Sequence, residues 1–128
     1  MPDESRISVV DDDAAVREAV KGLLKSAGFR AEAFASAEDI LSSGRLNGTA
    51  CLILDIRMPG MSGLDFQEQL IASGCLVPII FITAHADEEA RARALKRGAV
   101  ACLPKPFVDD ALLDAVAKAI GTTRLASD

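Results

Sequence analysis

The stretch SVVDDDAAV, residues 8–16, places three consecutive aspartates, Asp11, Asp12 and Asp13, directly after an apolar run. The run predicts a buried strand, and the alanines after the aspartates begin a helical pattern. Two like charges about 4 Å apart repel each other by about 4 kcal/mol at an effective dielectric constant of 20. The end of this strand therefore needs a positive partner, and it is the first candidate for a functional site.

Five short apolar runs alternate with five helical patterns along the chain. The runs predict strands over residues 7–10, 31–34, 50–54, 77–82 and 100–103. The third and fourth runs are apolar on both faces, as central parallel strands are, whereas the second alternates polar and small residues, which is typical of an edge strand. The pattern predicts an α/β fold with one doubly wound, five-stranded parallel sheet in the order 2-1-3-4-5 and five helices.

Capping residues mark the starts of the helices. Asp13 is interpreted as the N-cap of the first helix, residues 14–27, rather than as a third metal ligand. Ser36 and Ser62 each stand three residues before an aspartate, which predicts caps for the second and third helices. The buried side of the third helix is predicted to consist of Leu64, Phe66, Leu70 and Ile71.

The end of the chain is more polar than the rest. The last helical pattern covers residues 108–120, and the sequence GTTRLASD follows it. We expect a single domain over residues 1–121 and a tail, or the start of a linker to an output domain, over residues 122–128.

The composition is typical of one packed domain. The chain has 128 residues, of which 50% are hydrophobic, and a net charge of −5, which disfavours direct binding of nucleic acid. No apolar run reaches the roughly 18 residues of a membrane span, and no signal-peptide pattern is seen, so we expect no membrane contact and a cytoplasmic location. The three cysteines show no C-x-x-C spacing and are interpreted as free thiols.

The predicted topology brings five polar side chains to one crevice. Asp11 and Asp12 lie at the end of the first strand, and Asp55 lies at the end of the third. Thr83 ends the fourth strand and Lys105 follows the fifth. Clustered carboxylates suit Mg²⁺, which leaves positions open for a phosphoryl group. An aspartate can attack phosphorus, while a lysine and a hydroxyl can stabilise the transferred charge.

Four segments together resemble the signature segments of response-regulator receiver domains, in the CheY-like superfamily. They are VVDDD (9–13), LILDIRMPGMSGLD (52–65), IIFITAHAD (79–87) and LPKPF (103–107). The resemblance covers about residues 5–120. The residues around Asp55 and Thr83 are similar to the FixJ-like group, whose receivers usually precede a LuxR-type helix-turn-helix domain.

The resemblance implies a role for each acidic position. Asp55 matches the phosphoacceptor. Asp12 matches the residue that binds Mg²⁺ directly, and Asp11 matches the one that helps to hold the ion, often through water. Arg57 would contribute its backbone carbonyl to the metal.

The remaining matched positions concern charge and switching. Lys105 matches the invariant lysine of the family, whose bond to the following proline, here Pro106, is typically cis. Thr83 matches the switch hydroxyl, so that Asp55, Thr83 and Lys105 form the implied catalytic set. Cys102 occupies the position where receivers commonly carry the switch aromatic, Tyr or Phe, and this departure puts transmission by a rotating ring in doubt.

The implied function is that of a phosphoacceptor in two-component signal transduction. A sensor histidine kinase would donate the phosphoryl group from a phosphohistidine. The receiver would catalyse only its own phosphorylation and dephosphorylation, and we expect no other enzymatic activity. Phosphorylation would switch the face formed by helix 4, strand 5 and helix 5, through which family members often form homodimers, and would control a transcriptional output domain.

Several alternatives compete with this interpretation. Cys102 leaves open a degenerate receiver that acts as a phosphorylation-independent interaction module, and a stand-alone single-domain receiver is also open. A flavodoxin-like cofactor module shares the topology, but aspartates after the first strand would repel the cofactor phosphate. A haloacid-dehalogenase-type phosphatase needs a second aspartate where this chain has Arg57.

Overall fold

The computed structural model describes residues 6–84 and 88–127, with side chains described up to residue 121. Its strands are β1 (Arg6–Val10), β2 (Arg30–Phe34), β3 (Cys51–Asp55), β4 (Ile79–Thr83) and β5 (Ala101–Pro104). Its helices are α1 (Ala14–Ser26), α2 (Ala37–Ser43), α3 (Gly63–Ala72), α4 (Glu88–Lys96) and α5 (Asp109–Ser127). Strands and helices alternate along the chain, which confirms the predicted α/β fold.

All five strands form one parallel sheet in the predicted order β2-β1-β3-β4-β5. β1 lies between β2 and β3, so that Val10 pairs with Phe34 on one side and with Leu54 on the other. The strand order reverses at this point, and the connections leave β1 and β3 towards opposite sides of the sheet. A crevice therefore opens at the carboxyl ends of these two strands.

Alternate residues of each strand feed two apolar clusters, one on each face of the sheet. Ile53 of β3 packs in the cluster that also holds Val20 of α1 and Val116 of α5. Leu54 packs on the opposite face, in the cluster formed with α2, α3 and α4. Because β3 and β4 are buried at every position, the prediction that they are central strands is confirmed.

The cysteines are distributed within this core and are all free, as predicted. Cys51 and Cys102 are buried on opposite faces of the sheet, and Cys75 is partly buried. Burial raises the pKa of the Cys51 thiol to about 12. A thiol that stays protonated in this way is a poor nucleophile and metal ligand, so Cys51 acts as a core residue.

Two predictions about the helices were wrong. Ile71 was expected on the buried side of α3 but is 51% exposed, because the buried stripe runs through Gly63, Phe66, Gln67 and Leu70 and Ile71 lies at its border, near the end of the helix. The last helix was expected to end near residue 120 but continues to Ser127. The domain boundary at residue 121 stays a prediction. Among the described residues, no helix is long and apolar enough to cross a membrane.

Helix α4 has one large apolar side chain, Leu95, which is partly buried against the core. All but one of its residues are charged or alanine, and its buried side chains are Ala90 and Ala94. Burial of apolar surface stabilises by about 25 cal/mol per Å², and alanine methyl groups offer little surface. The packing therefore holds α4 weakly compared with α1 or α5, which bury leucine and valine.

Gly63 at the start of α3 touches the strand end that carries Asp55. Its N–H donates to the carbonyl of Ile56 at 2.9 Å. A Cβ atom at this position would overlap the carbonyl oxygen of Asp55 and would lie 3.0 Å from Ile56 Cα. These neighbours are backbone atoms that cannot rotate away, so only glycine allows α3 to begin this close to β3.

We expect Gly63→Ala to lower the free energy of unfolding by at least about 2 kcal/mol, because the added methyl group overpacks against fixed backbone. Gly22→Ala is the matched control: Gly22 lies within α1, and outside that helix no atom comes within 4 Å of the place that an added methyl group would take. This substitution should raise stability by about 0.5–1 kcal/mol through helix propensity. Urea denaturation measures both. Equal effects of the two substitutions would contradict the close approach at Gly63.

Candidate functional site

The carboxyl ends of β1, β3 and β4 meet at the crevice and carry the predicted polar residues. Asp55 and Thr83 are the last residues of β3 and β4, and Asp11 directly follows β1. Asp11 is fully buried, Asp55 is nearly so, and Asp12 is exposed. Removing a carboxylate from water without a partner is costly, so the partners of Asp11 and Asp55 decide what the crevice can do.

Backbone groups hold Asp11 at the end of β1. Its N–H donates to the carbonyl of Phe34 at 3.1 Å, and its Oδ1 accepts from the N–H of Asp13 at 2.9 Å. Its own carbonyl accepts from Arg17 Nη1 at 2.7 Å. Sequence reasoning missed Arg17, since no pattern links a helix arginine to a carbonyl at the end of a strand.

Asp13 caps α1 and takes no part in the acidic cluster. Its Oδ1 accepts from the backbone N–H of Ala15 at 2.9 Å, in the N-cap position. The carboxylates whose oxygens lie within 4.8 Å of one another belong to Asp11, Asp12 and Asp55. The interpretation of Asp13 as a cap is confirmed.

Lys105 supplies the positive charge between the two buried carboxylates. Its Nζ lies 2.9 Å from Asp11 Oδ2 and donates to Asp55 Oδ2 at 3.1 Å. Its backbone N–H donates to the carbonyl of Thr83 at 2.8 Å, which fixes the base of the side chain beside β4. The Lys105–Pro106 peptide bond is cis, as the resemblance implies.

Asp55 is held by two donors on opposite sides of its carboxylate. Its Oδ1 accepts from the backbone N–H of Arg57 at 3.2 Å, while Oδ2 faces Lys105. The bond to Oδ1 brings the backbone of Arg57, a residue with an exposed side chain, next to the acidic cluster. The five residues matched by the resemblance at the strand ends are therefore gathered around one crevice.

The surroundings shift the protonation equilibria of this cluster. Burial and the charge of Asp11 raise the pKa of Asp55, although hydrogen bonds from Lys105 and Arg57 oppose the shift. Burial alone would lower the pKa of Lys105, but its bonds to Asp11 and Asp55 raise it overall. Lys105 thus stays charged at neutral pH, and one ammonium group faces three carboxylates.

The acidic cluster fits a hard divalent cation. The three carboxylates lie close enough to share one ion, and exposed Asp12 leaves the cluster open to solvent. Mg²⁺ prefers such oxygen ligands and usually keeps several waters beside one or two carboxylates and a phosphoryl group. A cation there would replace repulsion among the carboxylates by attraction.

The two predicted switch positions lie on neighbouring strands. Thr83 is 7% exposed at the end of β4. Cys102 is buried in β5 on the face covered by α4. Burial raises the pKa of the Cys102 thiol, and the charges of Arg91 and Glu88, both on α4, act on it in opposite directions. A small thiol therefore lies under α4 at the position where the family usually has an aromatic ring.

A pocket of about 570 Å³ lies between α4 and the β3–α3 connection, which follows Asp55. Ile56, Met58 and Pro59 line it on one side, and Ala90 and Arg93 of α4 line it on the other. This part of α4 thus borders open space instead of packing tightly against the connection that follows Asp55.

A match over most of the sequence shows the family of this chain. The sequence profile of the response regulator receiver domain matches residues 7–117. The chain therefore belongs to the response regulator receiver domain family, and the resemblance inferred from its four segments is confirmed.

Two similar proteins each match most of this chain. Nodulation protein W of Bradyrhizobium diazoefficiens is 47% identical over 113 residues, which are 88% of this chain and 50% of that protein. Response regulator protein TodT of Pseudomonas putida is 46% identical over 116 residues, which are 91% of this chain and 51% of that protein. The chain thus spans about half the length of these relatives.

Solved structures show the same fold. The response regulator StyR superposes with a TM-score of 0.86 at 48% identity, covering 95% of this chain and 63% of that one. The domain FixJ-N superposes with a TM-score of 0.83 at 33% identity, covering 91% of this chain and 93% of that one. The likeness to the FixJ-like group thus extends to structure.

We expect Mg²⁺ to raise the melting temperature, because a ligand that binds only the folded state stabilises it by about 2.7 kcal/mol at a hundredfold excess over Kd. Asp12→Asn should remove most of this response. Asp13→Asn is the matched control, since asparagine caps a helix as well as aspartate does. Thermal denaturation with and without Mg²⁺ measures the effect. An undiminished response of Asp12→Asn would contradict the assignment of the site.

We expect Asp55→Asn to raise the melting temperature by a few degrees at neutral pH without Mg²⁺, because it removes a buried charge beside Asp11. The pKa of Asp55 is higher in the folded than in the unfolded state, so folding favours its protonated form. The advantage of the variant should therefore shrink as the pH falls through the raised pKa. Exposed Asp114 provides the control: Asp114→Asn should show no such gain. A lower melting temperature of Asp55→Asn would contradict this account.

Proposed function

We propose that Asp55 accepts a phosphoryl group in this receiver domain and that Mg²⁺ assists the transfer. The observation that carries the proposal is the position of Lys105 Nζ, 2.9 Å from Asp11 and 3.1 Å from Asp55 at the buried strand ends. Asp12 adds a third carboxylate to this cluster, so its negative charge exceeds the single positive charge of Lys105. A site for a divalent cation and a phosphoryl group accounts for this excess.

The proposed reaction at Asp55 transfers a phosphoryl group from an oxygen or nitrogen atom of the donor to a carboxylate oxygen. A carboxylate oxygen of Asp55 forms a bond to phosphorus while the bond from phosphorus to the donor breaks and the donor keeps the electron pair. Lys105, which contacts Asp55 Oδ2, can bind an oxygen of the transferred phosphoryl group. The Thr83 hydroxyl is the second group proposed to bind the phosphoryl group. Attack of water on phosphorus later breaks the phosphorus–oxygen bond to Asp55, which releases inorganic phosphate and restores the carboxylate. Self-catalysed phosphorylation and dephosphorylation are the only activities proposed.

The metal would be held by the carboxylates of Asp11, Asp12 and Asp55 and by the backbone carbonyl of Arg57. When bound, Mg²⁺ would supply positive charge to the transferring phosphoryl oxygens. The role of the chain is to orient its oxygen ligands, and the hydrogen bonds from Asp13 and Arg57 to Asp11 and Asp55 do so.

The proposed donor is a phosphohistidine of a sensor histidine kinase, as is general for response regulators. The relatives include proteins named transcriptional regulatory protein TdiR and transcriptional regulatory protein FixJ. We therefore propose that phosphorylation repacks the face of α4, β5 and α5 and controls a transcriptional output domain, with a homodimer through this face as the assembled form. A cytoplasmic location stays a prediction from the sequence.

Incubation with Mg²⁺ and acetyl phosphate, followed by intact-mass measurement, tests the acceptor. The wild-type chain should gain one phosphoryl group, and Asp55→Asn should gain none. Lys105→Ala should react about a hundredfold more slowly, the typical loss for one charge-stabilising donor. Asp65→Asn, at an exposed aspartate of α3, should react like the wild type.

The same experiment separates the alternatives. A wild-type chain without an adduct would overturn the proposal and favour a degenerate receiver that acts as a phosphorylation-independent interaction module, which Cys102 in place of an aromatic residue suggests. An adduct that persists in Asp55→Asn would place the acceptor elsewhere in the chain.

A further inference from the structure

A buried amide on α3 contacts the end of α4. Gln67 is 1% exposed among apolar neighbours of the α3 stripe. Its Nε2 donates to the carbonyl of Ala94 at 3.0 Å. Among the residues that the structure describes, its Oε1 has no hydrogen-bond partner. A half-satisfied buried amide costs stability, so this position calls for an explanation beyond packing.

The bond from Gln67 reaches the C-terminal cap of α4. The N–H of Ala99 donates to Ala94 O at 3.1 Å, and the N–H of Gly98 donates to Leu95 O at 3.0 Å. With Gly98 at a φ of 104°, this is a Schellman motif. Gln67 thus ties the last turn of α4 to α3, just before the chain enters β5.

The first part of α4 borders open space. Ala90 and Arg93 line the pocket of about 570 Å³ beside the β3–α3 connection. Helix α4 begins at Glu88, five positions after Thr83, the residue proposed to bind the phosphoryl group. The end of α4 that follows Thr83 in the chain therefore has room to move into the pocket, whereas the other end is tied to Gln67.

Helix α3, in contrast, packs closely against the end of β3, the strand that carries Asp55. Gly63 packs against the backbone of Asp55, and Gln67 lies one turn further along the same buried stripe. The amide of Gln67 therefore keeps its place relative to Asp55, and α4 is the element that can move against it.

We propose that Gln67 is a positioning residue, whose amide holds the C-terminal end of α4 in the unphosphorylated arrangement and releases it when Asp55 is phosphorylated. The proposal rests on the proposed function of Asp55. A hydrogen bond that is present in just one of two states shifts the equilibrium towards that state. Because the amide of Gln67 is only half satisfied, breaking this bond costs less free energy than breaking the bonds of a fully paired amide.

Gln67→Leu tests the proposal with little risk to folding. Leucine is apolar and of similar size, and Ala94 O keeps its bond from Ala99 when the amide is removed. Gln69→Leu is the matched control, because Gln69 is exposed on the same helix. Gln67→Met is a second variant that lacks the amide but differs in shape from leucine.

The measurements are amide hydrogen exchange over α4 and the rate of phosphorylation by acetyl phosphate with Mg²⁺. In the unphosphorylated state, both Gln67 variants should exchange faster over residues 94–100 than the wild type. After phosphorylation the difference should vanish, because the bond is then released in all of them. Phosphorylation should be about two- to tenfold faster in both variants, the range that corresponds to one net hydrogen bond. Gln69→Leu should match the wild type throughout.

A difference in exchange that persists after phosphorylation would show a merely structural role for Gln67 and overturn the proposal. Wild-type exchange and wild-type rates in both variants would also overturn it, while leaving Asp55 as the acceptor. If the wild type gained no phosphoryl group, the proposed function would fail and this proposal with it. The mass of the wild-type protein therefore distinguishes the two failures.

Discussion

One ammonium group holds the functional end of this domain together. Lys105 lies between the carboxylates of Asp11 and Asp55, which come from different strands and would repel each other without it. The arrangement lowers the cost of burying both carboxylates but leaves the cluster short of positive charge, because Asp12 adds a third carboxylate nearby. A receiver domain needs this imbalance: a site that were neutral by itself would bind a divalent cation weakly and would offer less to a transferred phosphoryl group.

The surrounding fold divides into a part that is fixed to this cluster and a part that is not. Gly63 brings the start of α3 against the backbone of Asp55. Helix α4 buries two alanines and part of Leu95, borders a pocket, and is tied to α3 through Gln67. Rigid attachment on one side and weak attachment on the other is the arrangement that lets a local change of charge become a displacement of one helix.

Cys102 bears on how such a displacement would be transmitted. Its thiol lies under α4 in the apolar cluster on that face of the sheet. A thiol has no ring to rotate and fills less space than tyrosine or phenylalanine. Under the proposed function, a change at Asp55 would therefore be transmitted by repacking of α4 rather than by rotation of a ring.

Local patterns in the sequence determined the strand order, the acidic crevice and the cap at Asp13, because periodicity, capping and the rules of parallel sheets depend on near neighbours in the chain. The tertiary structure alone decided which distant groups meet. No pattern shows that Arg17 bonds a carbonyl at the end of β1, that Gln67 reaches the cap of α4, or that Ile71 lies outside the buried stripe. The need for glycine at position 63 is likewise invisible until α3 is seen against β3. Such contacts depend on how the elements pack in three dimensions, and hydrophobic periodicity specifies which side of a helix is buried but not which atoms it will meet.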